Sequence, residues 1–234
     1  MLIKPYFQKD DMTIYHGDCL EIMPQLEPVD MVLTDPPYGI NVNTDWINRR
    51  NGAWAKGDRP IIGDDKPFNP KPFLGYPELI FWGANHFSDK LPVSASWLIW
   101  DKRRLGTVTR GWNAPDFELA WTNLSCGARL FSHLWEGYKR DSEIGEHYHP
   151  TQKPKILMQW CIRLSKKIGI ILDPFMGSGT TLVAAKQLIR KAIGIEIEEK
   201  YCEIAAKRVE KAIRLDRMSF HLDRKQEKKG LELC

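Results

Sequence analysis

Short apolar runs recur along this chain, and several of them stop at an acid. Val29-Asp30-Met31-Val32-Leu33-Thr34 stops at Asp35, Gly169-Ile170-Ile171-Leu172 at Asp173, and Ala192-Ile193-Gly194-Ile195 at Glu196. Runs this short, without clean alternation, predict strands of a parallel sheet covered on both faces. Thr13-Ile14-Tyr15-His16 is β-prone and ends in Gly17-Asp18-Cys19. Glu78 to Asn85, Ser96 to Asp101 and Phe117 to Thr122 predict three further strands, and Arg129 to Trp135 one more.

Helical spacing fills the gaps between these runs. Leu20 to Leu26 predicts a short helix with Asp18 near its N-terminus. Pro154 suits a first helical turn, after which Ile156, Leu157, Trp160, Cys161 and Leu164 recur on one face, with Gly169 as a stop. Leu182, Val183, Ala185, Leu188 and Ile189 predict the apolar face of another helix. The last runs from about Glu199 to Leu215, with Tyr201, Ile204, Ala205, Val209 and Ile213 as its stripe. Strand, acid and helix alternate, which predicts a doubly wound α/β domain whose site lies at the carboxyl ends of the strands.

Three stretches break the pattern. Residues 39–72 are rich in Gly, Asn, Pro and charge and carry Trp46, Arg49, Arg50, Trp54, Lys56 and Arg59. Basic residues interleaved with aromatics suit a nucleic acid backbone and splayed bases, and equally a solvated insertion. The basic loop 102–110 holds Lys102, Arg103, Arg104 and Arg110, and reads either as phosphate contacts or as an exposed charged turn. Residues 123–148, with Lys139 and Arg140, have poor periodicity. Neither Asp64-Asp65 nor His147 with His149 has the further ligands that a metal site needs, so no metal is expected.

Composition adds limits. The 234 residues suffice for one large domain, here 1–218, followed by a charged tail at 219–234. A net charge of +4, from 34 basic and 30 acidic side chains, permits a nucleic acid partner without requiring one. Nine tryptophans is a high number, and most of those in the three strands between Glu78 and Thr122 are expected in the core. Five scattered cysteines without a CxxC pair fit a reduced, cytoplasmic protein and argue against zinc. No run has the length of a membrane span, and the N-terminus shows no cleavage signature.

Two stretches carry chemistry. In Asp35-Pro36-Pro37-Tyr38 the prolines fix φ and remove donors. What remains is a carboxylate, bare carbonyls and a flat ring, a set that suits a nucleobase bearing an exocyclic amino group. Asp173-Pro174-Phe175-Met176-Gly177-Ser178-Gly179-Thr180-Thr181 is a strand tip, a Gly-x-Gly turn and a helix start, where glycines allow close approach and free N–H groups face a carboxylate. Glu196 follows Asp173 at about the distance, roughly 20 residues, at which an acid takes ribose hydroxyls in dinucleotide folds.

Together these segments, from His16 to about Arg208, resemble the amino-group DNA methyltransferases that use S-adenosylmethionine. With the acceptor turn first, the donor loop second and His149-Pro150-Thr151-Gln152-Lys153-Pro154 just before that loop, the order is similar to the beta group of that family. The resemblance implies an α/β, doubly wound, mostly parallel seven-stranded methyltransferase sheet (Rossmann-like) with an antiparallel strand. It implies that Asp173 contacts the methionine amino end, with Pro174, Phe175, Gly177, Gly179, Thr180 and Thr181 lining the loop. Glu196 would bind the ribose, Asp18 the adenine amino group with Cys19 beside it, and Lys153 and Pro154 would lie near the methionine. Asp35 and the Pro36 carbonyl would accept the target amino group, with Asp35 also among the residues lining the cofactor site; Pro37 would stiffen the turn, and Tyr38 would stack on a base flipped from duplex DNA.

Asp at the first position of the turn goes with adenine N6 more often than with cytosine N4, which stays the alternative. A non-catalytic DNA-binding module on the same fold is the alternative of another class. The 39–72 loop and segment 123–148 are the candidate DNA-recognition elements. The resemblance to restriction-modification enzymes leaves a homodimer and a cognate restriction enzyme open as partners.

Overall fold

The computed structural model describes residues 3–42, 61–103, 115–136 and 139–214. Trp46, Arg49, Arg50, Trp54, Lys56, Arg59, Arg104, Arg110 and the tail at 219–234 lie outside the described residues. Among the described residues no helix is long and apolar enough to cross a membrane.

The strands are β1 (Phe7–Lys9), β2 (Met12–His16), β3 (Met31–Thr34), β4 (Glu78–Trp82), β5 (Trp97–Asp101), β6 (Phe117–Thr122), β7 (Arg129–Ser132), β8 (Trp135–Glu136), β9 (Lys139–Arg140), β10 (Ile171–Asp173) and β11 (Ala192–Glu196). The main sheet has the order β1-β2-β11-β10-β3-β4-β6-β5-β7. From β2 to β4 every pairing is parallel. β6 runs antiparallel to both β4 and β5. The seven-strand unit expected from the resemblance is therefore β2 to β5 in this order. Two edge strands join it: β1 as an antiparallel hairpin on β2, and β7 parallel to β5.

The apolar runs are continuous because both faces of the sheet are covered. Met31, Leu33, Ile80, Trp82, Leu98 and Trp100 face one core. Val32, Leu79, Phe81, Trp121, Leu172 and Ile193 face the other. The first core is closed by α2 (Lys155–Leu164), α3 (Thr180–Gln187) and α4 (Glu199–Lys211), and the second by α1 (Cys19–Ile22) and by Phe68, Phe73 and Phe87. Trp82, Trp100 and Trp121 are buried, as the sequence predicts.

Several boundaries differ from the sequence reading. α1 ends at Ile22 and passes into a 3₁₀ turn, Met23–Gln25, because Pro24 has no N–H to continue the α ladder. α3 stops at Gln187; Ile189, expected on its apolar face, is exposed with φ 56°. α4 stops at Lys211, and Ile213 is exposed instead of extending the stripe. The strand expected over Arg129 to Trp135 is broken in two. The second piece, β8, pairs with β9 as a separate hairpin.

Candidate active site

β3 delivers Asp35-Pro36-Pro37-Tyr38 to the carboxyl edge of the sheet, beside the tip of β10. The backbone after the prolines is gathered by one side chain. Buried Asp64 accepts from the N–H groups of Tyr38 (3.0 Å), Gly39 (2.9 Å) and Val42 (2.7 Å). Asp64 is thus an anchor for the acceptor turn, a role no local sequence signal announced.

Tyr38 is fixed at both ends. Its ring stacks on His86 with centroids 4.9 Å apart and planes 14° apart. It also lies over Gly83, which has φ +67° and where a Cβ would fall 2.0 Å from Cε1. The Tyr38 hydroxyl donates to Asp35 Oδ1. Burial and the Asp35 carboxylate push the phenol well above its ordinary range, so it stays a donor.

A buried charge cluster surrounds Asp35. Lys153 Nζ donates to Asp35 Oδ2 at 2.5 Å and lies 3.1 Å from Glu118 Oε2. Lys102 pairs with the other oxygen of Glu118. Burial pushes the Asp35 carboxyl above the usual range, against the pull of the Lys153 ammonium. Burial would also raise Glu118, but the two ammoniums outweigh it and hold that carboxyl at about 2. Lys153 is held protonated by its two carboxylates despite its burial. The geometry therefore sets the Lys153 ammonium against the acceptor turn. Pro154, its neighbour, is the buried N-cap of α2.

The half expected from the sequence to take the donor lies across β10, β11 and β2. Buried Asp173 accepts at Oδ1 from Thr34 Oγ1 (2.7 Å) and from the Phe175 N–H (3.2 Å), and its carboxyl is pushed up to about 6, chiefly by burial. Glu196 accepts from Gly177 N–H at Oε2 and Glu198 N–H at Oε1, both at 2.9 Å. Each of its oxygens keeps a lone pair for a further donor. Gly179 caps α3 at φ +80°, where a Cβ would lie 2.7 Å from Ala205 Cβ, so α4 and the loop pack directly. Asp18 caps α1 by accepting from Leu20 N at 2.7 Å and remains exposed. Cys19 is buried behind it.

A strap from the chain before α2 holds this loop. Arg208 of α4 donates to Ser178 O (2.7 Å) and Oγ (2.9 Å) and to Thr180 Oγ1 (3.2 Å), lies over the Tyr148 ring, and faces Glu143 at 3.7 Å. The His149 ring packs on Tyr201 and beside Gly177. Burial and the nearby ammoniums of Lys200 and Lys153 lower His149 to about 3, so it is a neutral packing group.

The basic residues are less free than the sequence suggests. Besides the Lys102 pair, Arg103 bonds Asp116 at 2.8 Å and faces Asp101. Arg140 stacks on Trp135 at 4.0 Å, while Lys139 is exposed. Glu118, Asp64, Arg208 and His86 are the site residues that sequence reasoning missed. Of these only Glu118, a lone acid within an apolar strand, offered a signal.

The acceptor turn and the donor loop lie on adjacent strands, as a two-substrate transferase requires. The family model described as DNA methylase, covering N6 and N4 enzymes, matches residues 88–207, just over half of the chain. The chain belongs to that family and is a DNA methyltransferase. It is 29% identical to the Type II methyltransferase M2.DpnII of Streptococcus pneumoniae, over 90% of this chain and 94% of that one. It is 27% identical to M2.LlaDCHI of Lactococcus lactis subsp. cremoris, with the same coverage. Among solved structures, the M1.HpyAVI complex with S-adenosylmethionine is 27% identical, with a TM-score of 0.53 over 85% of this chain and 98% of that one.

Proposed function

We propose that this DNA methyltransferase moves a methyl group from S-adenosylmethionine to the exocyclic N6 of adenine in double-stranded DNA. The observation that carries the reading is the juxtaposition of Asp35 and Asp173 on neighbouring strands, joined through Thr34. The residues present fit the donor. Asp173 offers a buried carboxylate to an ammonium, Glu196 two oxygens to vicinal hydroxyls, Asp18 an exposed acceptor to an adenine amino group, and Gly177 and Gly179 close approach. Pro174, Phe175, Thr180 and Thr181 complete that loop, with Cys19, Lys153 and Pro154 at its borders. Bound there, the donor supplies a methyl group on a sulfonium, already a good leaving group.

The protein's work falls on the amine. An exocyclic amine is a weak nucleophile because its lone pair is conjugated with the ring. Asp35 and the Pro36 carbonyl accept its two N–H bonds, which favours a tetrahedral nitrogen with a free lone pair and stabilises the charge that develops there. Pro37 keeps the turn stiff. Tyr38, held in place by its stack on His86, offers its ring to the flipped base.

Residues 1–218 form the single catalytic domain in this reading. The loop 39–72, with Arg49 and Arg50, Arg104 and Arg110 of the basic loop, and 123–148, with Lys139, share DNA recognition. Lys102 and Arg103 shape the site's edge through their acidic partners. The setting is cytoplasmic. The Type II names of the relatives fit a cognate restriction enzyme as partner, and a homodimer is the assembly to look for.

Transfer of labelled methyl to unmethylated duplex DNA, followed by nucleoside analysis, tests the activity and the base. N6-methyladenine is the expected product. N4-methylcytosine would replace adenine by the cytosine reading. Asp35→Ala abolishes transfer while donor binding survives; normal transfer by that variant overturns the role of Asp35.

A further inference from the structure

Asp35 has a competitor for its charge. If it is to stabilise an amine that gains positive charge as the methyl arrives, an ammonium 2.5 Å from Oδ2 works against it. The obstacle is charge and not valence, since a carboxylate oxygen can accept more than one hydrogen bond. Lys153 cannot simply be left unpaired, because a buried ammonium without a partner is strongly disfavoured.

The structure supplies a second acceptor for that ammonium. Glu118 Oε2, on β6, lies 3.1 Å from Lys153 Nζ. The same oxygen is buried and makes no aligned hydrogen bond, although it sits within reach of one. The two carboxylates come from different strands, β3 and β6, and converge on one ammonium from α2's approach segment. Because Lys153 already reaches Glu118, a small swing of its side chain releases Asp35 while the ammonium keeps a carboxylate partner.

We propose that Glu118 is a positioning residue that draws the Lys153 ammonium off Asp35 when the target amine enters, so that Asp35 meets the amine as an uncompensated carboxylate. The inference rests on the reading of Asp35 as the amine acceptor. Lys102 steadies Glu118 from the far side, which leaves Oε2 as the oxygen that receives Lys153.

The test is single-turnover transfer of labelled methyl from saturating S-adenosylmethionine to unmethylated duplex DNA. Glu118→Gln keeps the shape and removes the charge. It slows transfer by at least about tenfold. Its donor Kd and its KM for DNA stay within about twofold of wild type, because the effect lies in the chemical step. Adding Lys153→Met to Glu118→Gln restores several-fold of the lost rate, since the competing ammonium is gone; a purely structural role for Glu118 predicts a further loss. Glu118→Asp, which keeps the buried charge, serves if the glutamine variant does not fold: it is slower than wild type and is likewise sped up by Lys153→Met. Wild-type rates in either Glu118 variant, or no recovery on adding Lys153→Met, overturn the proposal. Transfer that survives Asp35→Ala overturns instead the reading on which it rests.

Discussion

Thr34 Oγ1 donates a 2.7 Å hydrogen bond to Asp173 Oδ1, across the parallel pair β3 and β10. Thr34 is the residue before Asp35, and Asp173 opens the donor loop. One buried hydroxyl therefore fixes the separation of the proposed amine acceptor and the proposed donor site.

Thr34→Val keeps the shape and removes that bond. Asp173 Oδ1 keeps the Phe175 N–H, so the cost is that of one hydrogen bond, about 1 kcal/mol. The expected outcome is a lower Tm together with weaker donor binding, read by thermal melting and by titration with S-adenosylmethionine.

Donor binding follows the ionisation of Asp173. Its carboxyl is raised to about 6, and an ammonium partner favours the charged form. Binding a cation thus pulls this pKa down, so affinity is high above pH 6 and falls as pH drops through that value. Calorimetric titrations across this range check it; Asp173→Asn binds more weakly and flattens the dependence.

Asp64→Ala strands four backbone donors, of Tyr38, Gly39, Ile40 and Val42. A cost of about 2 kcal/mol or more is expected. Because the donor loop is untouched, kcat falls while the donor Kd holds, a split that steady-state kinetics with a separate binding assay resolves.

Gly83→Ala drives a methyl into the Tyr38 ring at a left-handed backbone position. Overpacking of this kind costs about 1–3 kcal/mol. Tyr38 must leave its place on His86, so transfer to DNA drops more than donor binding does.

Arg208→Met removes the bonds to Ser178 and Thr180 that hold the donor loop to α4. Hydrogen bonds from a charged group are worth about 1.5–3 kcal/mol. Donor affinity and Tm fall together, and the base that is methylated stays the same.

The placement of Asp35, Asp173 and Glu196 at strand tips was legible because each follows or ends an apolar run, and a strand tip is where this architecture puts its chemistry. The strands themselves were legible for the same reason. Glu118 stands out in sequence only as a lone acid in an apolar strand, and Asp64 not at all, because their roles lie in partners distant in the chain: Lys153 for one, the backbone of Tyr38 to Val42 for the other. Lys102 and Arg103 look like free cations in sequence, and only the fold brings Glu118 and Asp116 to them. Periodicity alone does not mark helix ends: α4 stops at Lys211, where Ala212 turns extended, and Ile213 is exposed.

The sheet order has a consequence for synthesis. β3 to β7 are contiguous in sequence between Met31 and Ser132 and pair among themselves. β2 has no partner except its hairpin neighbour β1 until β11 is made. On the ribosome, the half proposed to hold the base is complete long before the half proposed to hold the methyl donor, whose two opposite ends must wait for each other. A nascent chain released early would thus carry the acceptor turn and no means of using it.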